Sequence, residues 1–143
     1  MKNILIAALC FASPILAQDG AHLSLKLEMQ QTIKKGNTYL LSKQHAEGYW
    51  GNPELPAFTA LTLRSLLSDP SLDLKKPLPE NYTRGLTWLI AQQQENGGIY
   101  SIGLATYNTA SSIMALMAAN PVKYKVPILK ARAFLVNQQT DWG

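Results

Sequence analysis

Apolar residues recur at helical spacing along much of the chain. In two segments they step mostly by three or four residues, which places them on one face of an α-helix with 3.6 residues per turn. Ser24 is the predicted N-cap of the first of these helices, and Gly48 lies just past its end. The apolar positions are Leu25, Met29, Ile33, Gly36 and Leu40 in the first segment, and Tyr82, Leu86, Leu89 and Ile90 in the second.

Two shorter segments, 57–68 and 107–120, are apolar on more sides. A helix of that kind is usually buried between neighbouring elements. Each segment ends at an X-Pro pair, Asp69-Pro70 and Asn120-Pro121, where the proline ring disfavours helical backbone at the preceding residue. Residues 98–102 are the one candidate strand and fit a turn equally well. The pattern therefore predicts an all-α fold of about five helices.

The chain also repeats a longer motif. Each copy has a basic residue, then Gly or Ala, then, after two other residues, an aromatic residue and Leu. Gln follows after three more residues, and a turn with glycine or tryptophan ends the motif. The copies begin 49 and 46 residues apart. A Thr-Ala pair recurs between them, at Thr59 and 50 residues later at Thr109. Each cassette of two helices is therefore a structural repeat, over about 25–70, 71–121 and an incomplete 122–143. The motif residues are Lys35, Gly36, Tyr39, Leu40, Gln44, Gly48 and Trp50; then Arg84, Gly85, Trp88, Leu89, Gln93 and Gly97; then Lys130, Ala131, Phe134, Leu135, Gln139 and Trp142.

This motif resembles the QW repeat of squalene cyclases and of the wider group of terpenoid cyclases and protein prenyltransferases. The first copy matches throughout, the second has Ile99 in place of the tryptophan, and in the third Gln139 lies only three residues before Trp142. The resemblance implies an α/α toroid over residues 18–143, with motif helices outside and the intervening helices inside. It also implies that the motif residues are structural. Because a closed toroid needs more helix pairs than this chain offers, we expect a partial, open toroid from a longer repeat protein.

The first seventeen residues have the organisation of a secretory signal peptide. Lys2 precedes an apolar stretch over 4–16, and the small residue Ala17 precedes polar sequence. The stretch is shorter than the roughly 20 residues that span a bilayer. We therefore predict a cleaved signal peptide, a secreted or periplasmic protein, and no integral membrane segment. The only cysteine is Cys10, so the mature chain would have no disulfide, thiolate metal ligand or cysteine nucleophile.

Composition narrows the function classes further. The chain is 47% hydrophobic and 15% charged, with a formal net charge of +4, which is typical of a globular protein rather than a disordered one. Its lysines, including the pairs Lys34-Lys35, Lys75-Lys76 and Lys123/Lys125, are scattered and do not form a run. Nucleic-acid binding is therefore not expected.

No catalytic, metal-binding or cofactor-binding residue is predicted. The resemblance would imply an Asp-x-Asp-Asp proton donor for a cyclase or a zinc held by Asp, Cys and His for a prenyltransferase, and neither is present. Asp69 and Asp73 belong to a turn beside Pro70, and His22 and His45 lie 23 residues apart. Phosphate-binding and nucleophile motifs are also missing.

A binding role is easier to support from the sequence. In a toroid the N-terminal ends of the inner helices open toward the central cavity, and aromatic and hydroxyl groups there suit an apolar or glycan-like small ligand. We expect the residues nearest such a ligand to be Phe58, Thr59, Tyr107, Asn108 and Thr109. The leading hypothesis is a scaffold or ligand-binding module, whose other partners would be further repeats of the same chain. The alternatives are the N-terminal part of an isoprenoid cyclase or transferase with its acids downstream, and a polysaccharide lyase with an α/α toroid.

Overall fold

The computed structural model describes the backbone of residues 13–139 and the side chains of residues 22–139. This part of the chain is all-helical, which confirms the all-α prediction, and its one β contact is an isolated antiparallel bridge between Gln93 and Ile99. Cys10, Trp142 and residues 1–12 of the predicted signal peptide lie outside it. The helices are α1 (Ser13–Ser42), α2 (Pro56–Leu66), α3 (Glu80–Ala91), α4 (Ala105–Ala119) and α5 (Lys125–Asn137).

The two intervening helices lie close to where the apolar pattern predicts them. Pro56 occupies the first turn of α2, where its missing N–H breaks no helical hydrogen bond. Asn120 ends α4 in an extended conformation, with φ −173° and ψ 101°, as expected for a residue that precedes proline. The carboxamide oxygen of Asn120 then accepts hydrogen bonds from the N–H groups of Val122 and Lys123, which begins the turn into α5.

The first helix begins earlier than predicted. It starts at Ser13, so Ser24 lies inside it and donates a hydrogen bond to the Glu28 carboxylate instead of capping the helix. The chain divides into two compact units within α1, the first extending to Thr38 and the second beginning at Tyr39. In the first unit the apolar side chains Leu23, Leu25, Leu27 and Met29 are each at least half exposed.

The second unit holds the hydrophobic core. Helix α2 packs against both α3 and α4, and α4 packs against α5. Leucines from three helices meet there without measurable exposure, and burial of each stabilises the fold by about 1.5–3 kcal/mol. They are Leu63 and Leu66 on α2, Leu86 and Leu89 on α3, and Leu116 on α4.

Over the described residues, no helix combines the length and apolar character needed to cross a bilayer.

Candidate functional site

The glutamine of the first motif joins its own turn to the next motif helix. The Gln44 Nε2 atom donates to the carbonyl oxygens of Gly48 and Asn81, each at 2.8 Å. Its Oε1 atom accepts a hydrogen bond of 2.9 Å from Arg84 Nη2. Because Asn81 and Arg84 both lie on α3, one side-chain amide holds the turn of the first cassette against the motif helix of the second.

The second motif repeats this geometry. Gln93 Nε2 donates to the carbonyl oxygens of Gly97 at 2.8 Å and Pro127 at 2.9 Å. Pro127 stands three residues before Lys130, as Asn81 stands three residues before Arg84. Two cassette boundaries are therefore closed by equivalent hydrogen bonds.

The residue two places after each turn glycine fills the space behind the next motif helix. Trp50 is 3% exposed, and its indole Nε1 donates to the Leu40 carbonyl at 2.6 Å. A Cβ atom at Gly85 would lie 2.8 Å from that indole ring, so the glycine leaves room for it. At the next boundary the smaller Ile99 takes the place of the tryptophan and Ala131 that of the glycine, and both are fully buried in the core.

Aromatic rings of the turns also contact aromatic rings of the next motif helix at both boundaries. The Tyr49 ring lies 5.2 Å from the Trp88 ring between centroids, and the Tyr100 ring lies 5.6 Å from the Phe134 ring. The corresponding residue of the first motif, Tyr39, is 63% exposed. The motif aromatic side chain is thus covered where a preceding turn packs on it.

The two repeated threonines form hydrogen bonds with the backbone of the turns. The Thr59 hydroxyl oxygen accepts from the Trp50 N–H at 3.0 Å and also lies 3.4 Å from the Trp50 carbonyl oxygen, to which it donates. Thr109 does the same for Ile99, at 2.9 and 3.4 Å. Both threonines are fully buried. We expected these two residues near a ligand, and in the structure their hydroxyl groups hydrogen-bond to backbone groups of the turns.

Replacement of Thr109 by valine tests this structural role. Thr109→Val keeps the side-chain shape and leaves the buried N–H of Ile99 without its acceptor, so the free energy of unfolding should fall by about 1–3 kcal/mol. Urea denaturation followed by circular dichroism measures it. The exposed residue Thr106 supplies the control, since Thr106→Val should change stability by less than about 0.5 kcal/mol. Equal effects of the two substitutions would contradict the role assigned to the Thr109 hydroxyl.

A cavity of about 140 Å³ opens between the N-terminal ends of α2 and α4. Its wall is apolar except for one carboxamide. A dry apolar cavity of about 150 Å³ can hold one benzene-sized molecule. The lining residues are Leu55, Ala57, Phe58, Leu61, Leu104, Tyr107 and Asn108.

Asn108 connects the two helices at the base of this cavity. Its Oδ1 atom accepts from the Ala57 N–H at 3.0 Å, and its Nδ2 atom donates to the Gly103 carbonyl at 3.2 Å. The side chain is fully buried. Because Oδ1 satisfies an N–H of the first turn of α2, which has no partner within its own helix, Asn108 fixes the distance between the two helix ends.

Leu104 also lines the cavity and has a left-handed backbone conformation, with φ 46° and ψ 35°. A non-glycine residue in this region costs about 1 kcal/mol or more. Its side chain is 63% exposed beside Phe58 and Tyr107, which are 48% and 53% exposed. The strained backbone of Leu104 therefore lies where its apolar side chain lines the cavity.

Titratable groups contribute little to this site. Burial, and secondarily the charge of Asp69, raises the pKa of the Tyr82 phenol above its usual value, but Tyr82 does not line the cavity. Among residues 22–139, no group of three or more His, Cys, Asp or Glu side chains is placed to hold a metal ion.

The structure thus separates the five residues that were expected near a ligand. Phe58, Tyr107 and Asn108 line the cavity, whereas Thr59 and Thr109 face the turns. Sequence reasoning missed the other lining residues, of which Leu55 and Leu104 share a recognisable signal: each immediately precedes the first residue of α2 or α4. In the third motif, Leu135 is half-buried and Gln139 is exposed.

Comparison with protein-family models, curated proteins and solved structures finds no match to this chain.

Proposed function

We propose that the chain is a repeat module that binds a small apolar group in the cavity between α2 and α4, without performing chemistry on it. The observation that carries the proposal is the lining of this cavity. Six of its seven side chains are aliphatic or aromatic, and both polar atoms of the seventh, Asn108, already have backbone partners. Such a surface gains free energy by excluding water from an apolar guest.

An apolar guest is favoured over a glycan-like one. A sugar carries hydroxyl groups that need hydrogen-bond partners when they are buried, and leaving them unpaired costs free energy. The Tyr107 hydroxyl and the edges of exposed rings offer few such partners. A branched hydrocarbon end or a single aromatic ring matches both the size and the polarity of the cavity.

The wider architecture and the destination of the chain are part of the same proposal. The equivalent hydrogen bonds of Gln44 and Gln93 support assignment of the cassettes to an α/α toroid of the squalene cyclase and prenyltransferase-like type. The charge and apolar length of residues 1–17 support export through a cleaved signal peptide.

Titration with toluene, followed by methyl NMR, tests the binding proposal. We expect shifts at the methyl groups of Leu55, Leu61 and Leu104 with a dissociation constant of about 1 mM, which corresponds to about −4 kcal/mol. Leu61→Ser removes one apolar wall and should weaken binding about tenfold, or about 1.4 kcal/mol.

Leu74→Ser is the matched control, because Leu74 is 46% exposed, Leu61 is 42% exposed, and Leu74 lies outside the cavity. It should leave toluene affinity unchanged. Cellobiose at the same concentrations should shift none of the cavity methyl groups. Absence of toluene shifts up to its solubility limit, or identical affinity in the Leu61→Ser protein, would refute the proposal, and shifts with cellobiose alone would favour a glycan ligand.

A further inference from the structure

Helix α5 has an apolar face on each of two opposite sides. One side carries Ala131 and Phe134, which are 0% and 5% exposed and face the core. The opposite side carries a stripe of four exposed apolar residues at helical spacing, and an α-helix places these on one face. The stripe consists of Val126, Leu129, Ala133 and Val136, and the three larger members are 64%, 50% and 50% exposed.

The cassette fold does not require this stripe. On α3 the positions that correspond to the first three stripe residues are Glu80, Thr83 and Thr87, and on α1 they are Gln31, Lys34 and Thr38. At these three positions both sibling helices carry polar residues, whereas at the fourth, Val136, they carry Ile90 and Leu41, which pack against the core. A feature present in only one of three equivalent helices points to a role outside the repeat packing.

A further cassette would cover a different face of α5. The buried residues Tyr82, Leu86 and Leu89 of α3 correspond to Ile128, Arg132 and Leu135 of α5. By that correspondence, the next repeat packs along the Ile128–Leu135 side and leaves Val126, Leu129 and Ala133 at the surface.

Positive charge flanks the stripe on both sides. Lys125 and Arg132 lie along one edge of the stripe and Lys130 along the other, and all three are exposed. Residues 96–139 contain no Asp or Glu, and the loop before α5 adds Lys123 and Val122, the latter 83% exposed. Long basic side chains beside an apolar stripe are the arrangement in which a helix lies in a membrane surface, with its stems in the apolar layer and its charges among the headgroups.

We propose that α5 binds the surface of a lipid bilayer that contains anionic lipids, with its stripe inserted and its cations on the headgroups. A second copy of the chain fits this face less well, because packing two α5 helices would oppose like charges. Nucleic acid would use the cations and leave the apolar stripe in water. The stripe on α5 is separate from the cavity between α2 and α4. A negative result in the membrane experiment would therefore leave the ligand proposal intact.

An environment-sensitive fluorophore at a single cysteine tests the insertion. In a Cys10→Ser background, Val136→Cys places the label in the stripe, and Thr87→Cys places it on the sibling face of α3. With vesicles of 70% phosphatidylcholine and 30% phosphatidylglycerol, emission from position 136 should shift to shorter wavelength and emission from position 87 should not. Because the readout is local, membrane binding by residues 1–17 cannot produce this difference.

Charge and apolar variants complete the test. Lys130→Gln with Arg132→Gln should lower the vesicle partition coefficient measured at position 136 roughly 30-fold, at about fivefold per charge, whereas Lys75→Gln with Lys76→Gln should not change it. Val126→Gln with Leu129→Gln should lower it about tenfold or more, and Met114→Gln with Met117→Gln, which removes two exposed apolar side chains of α4, should not. An unshifted label at position 136, an equal shift at position 87, or a shift produced equally by duplex DNA would overturn the proposal.

Discussion

Gly97→Ala should be among the most destabilising single substitutions in the chain. Gly97 has φ +89°, and a Cβ atom there would lie 2.5 Å from the backbone carbonyl oxygen of Lys130. Left-handed backbone costs an L-residue about 1–2 kcal/mol, and forcing two packed backbones apart adds about 1–3 kcal/mol. We expect the free energy of unfolding to fall by about 3 kcal/mol, as measured by urea denaturation of the whole chain.

Gly103 supplies the control for this prediction. It also has a positive φ, +56°, but a Cβ atom there meets nothing within 4 Å. Gly103→Ala therefore introduces similar backbone strain without the collision and should cost about 1 kcal/mol. If the two substitutions cost the same, the close approach between the second turn and α5 is not what the glycine protects.

The effect of Gly85→Ala should change sign with the residue at position 50. With Trp50 present, the new methyl group meets the indole ring at 2.8 Å, and Leu63 Cδ2 and the Gly48 carbonyl oxygen at 3.2 Å. Overpacking of this kind costs about 1–3 kcal/mol and outweighs the roughly 1 kcal/mol that alanine gains over glycine in a helix. In a Trp50→Ile background, the boundary would have the same pair as Ile99 and Ala131 and only the two contacts at 3.2 Å would remain, so Gly85→Ala should become stabilising by up to about 1 kcal/mol.

A double-mutant cycle of these two substitutions measures the coupling as a difference in unfolding free energy. We expect a coupling energy of about 2 kcal/mol. Gly36→Ala is the control, because a Cβ atom there meets nothing within 4 Å, and it should stabilise α1 by about 1 kcal/mol in either background. If the effects of Gly85→Ala and Trp50→Ile are additive, the size of the side chain at position 50 does not limit the side chain at position 85.

The sequence predicted the parts of this fold that depend on local periodicity. The apolar spacing located the helices, and the X-Pro pairs located the ends of α2 and α4 to within about three residues, because these signals act within a few residues of chain. The predicted start of α1 was wrong. Ser24 can cap a helix or lie within one, and residues far before it decide which. Alignment of the motifs also predicts that Gln44 and Gln93 are equivalent residues, and their hydrogen bonds are equivalent.

The residues that line the candidate cavity were only partly predictable from the sequence. Thr59 and Phe58 are neighbours at the start of α2, yet one binds the turn and the other lines the cavity. A sequence pattern places both near the helix end and cannot say which way each side chain points. Leu104 was missed for a related reason, because its left-handed backbone is set by the packing of the loop and an isolated leucine does not favour it.

The most direct test of the repeated cassette boundary is NMR detection of scalar couplings across the glutamine hydrogen bonds. The side-chain amide nitrogen of Gln44 should couple to the Asn81 carbonyl carbon, and that of Gln93 to the Pro127 carbonyl carbon, with slow solvent exchange of both amide groups. If neither coupling is present and both amides exchange as fast as that of the exposed Gln139, the glutamines do not hold the cassettes together.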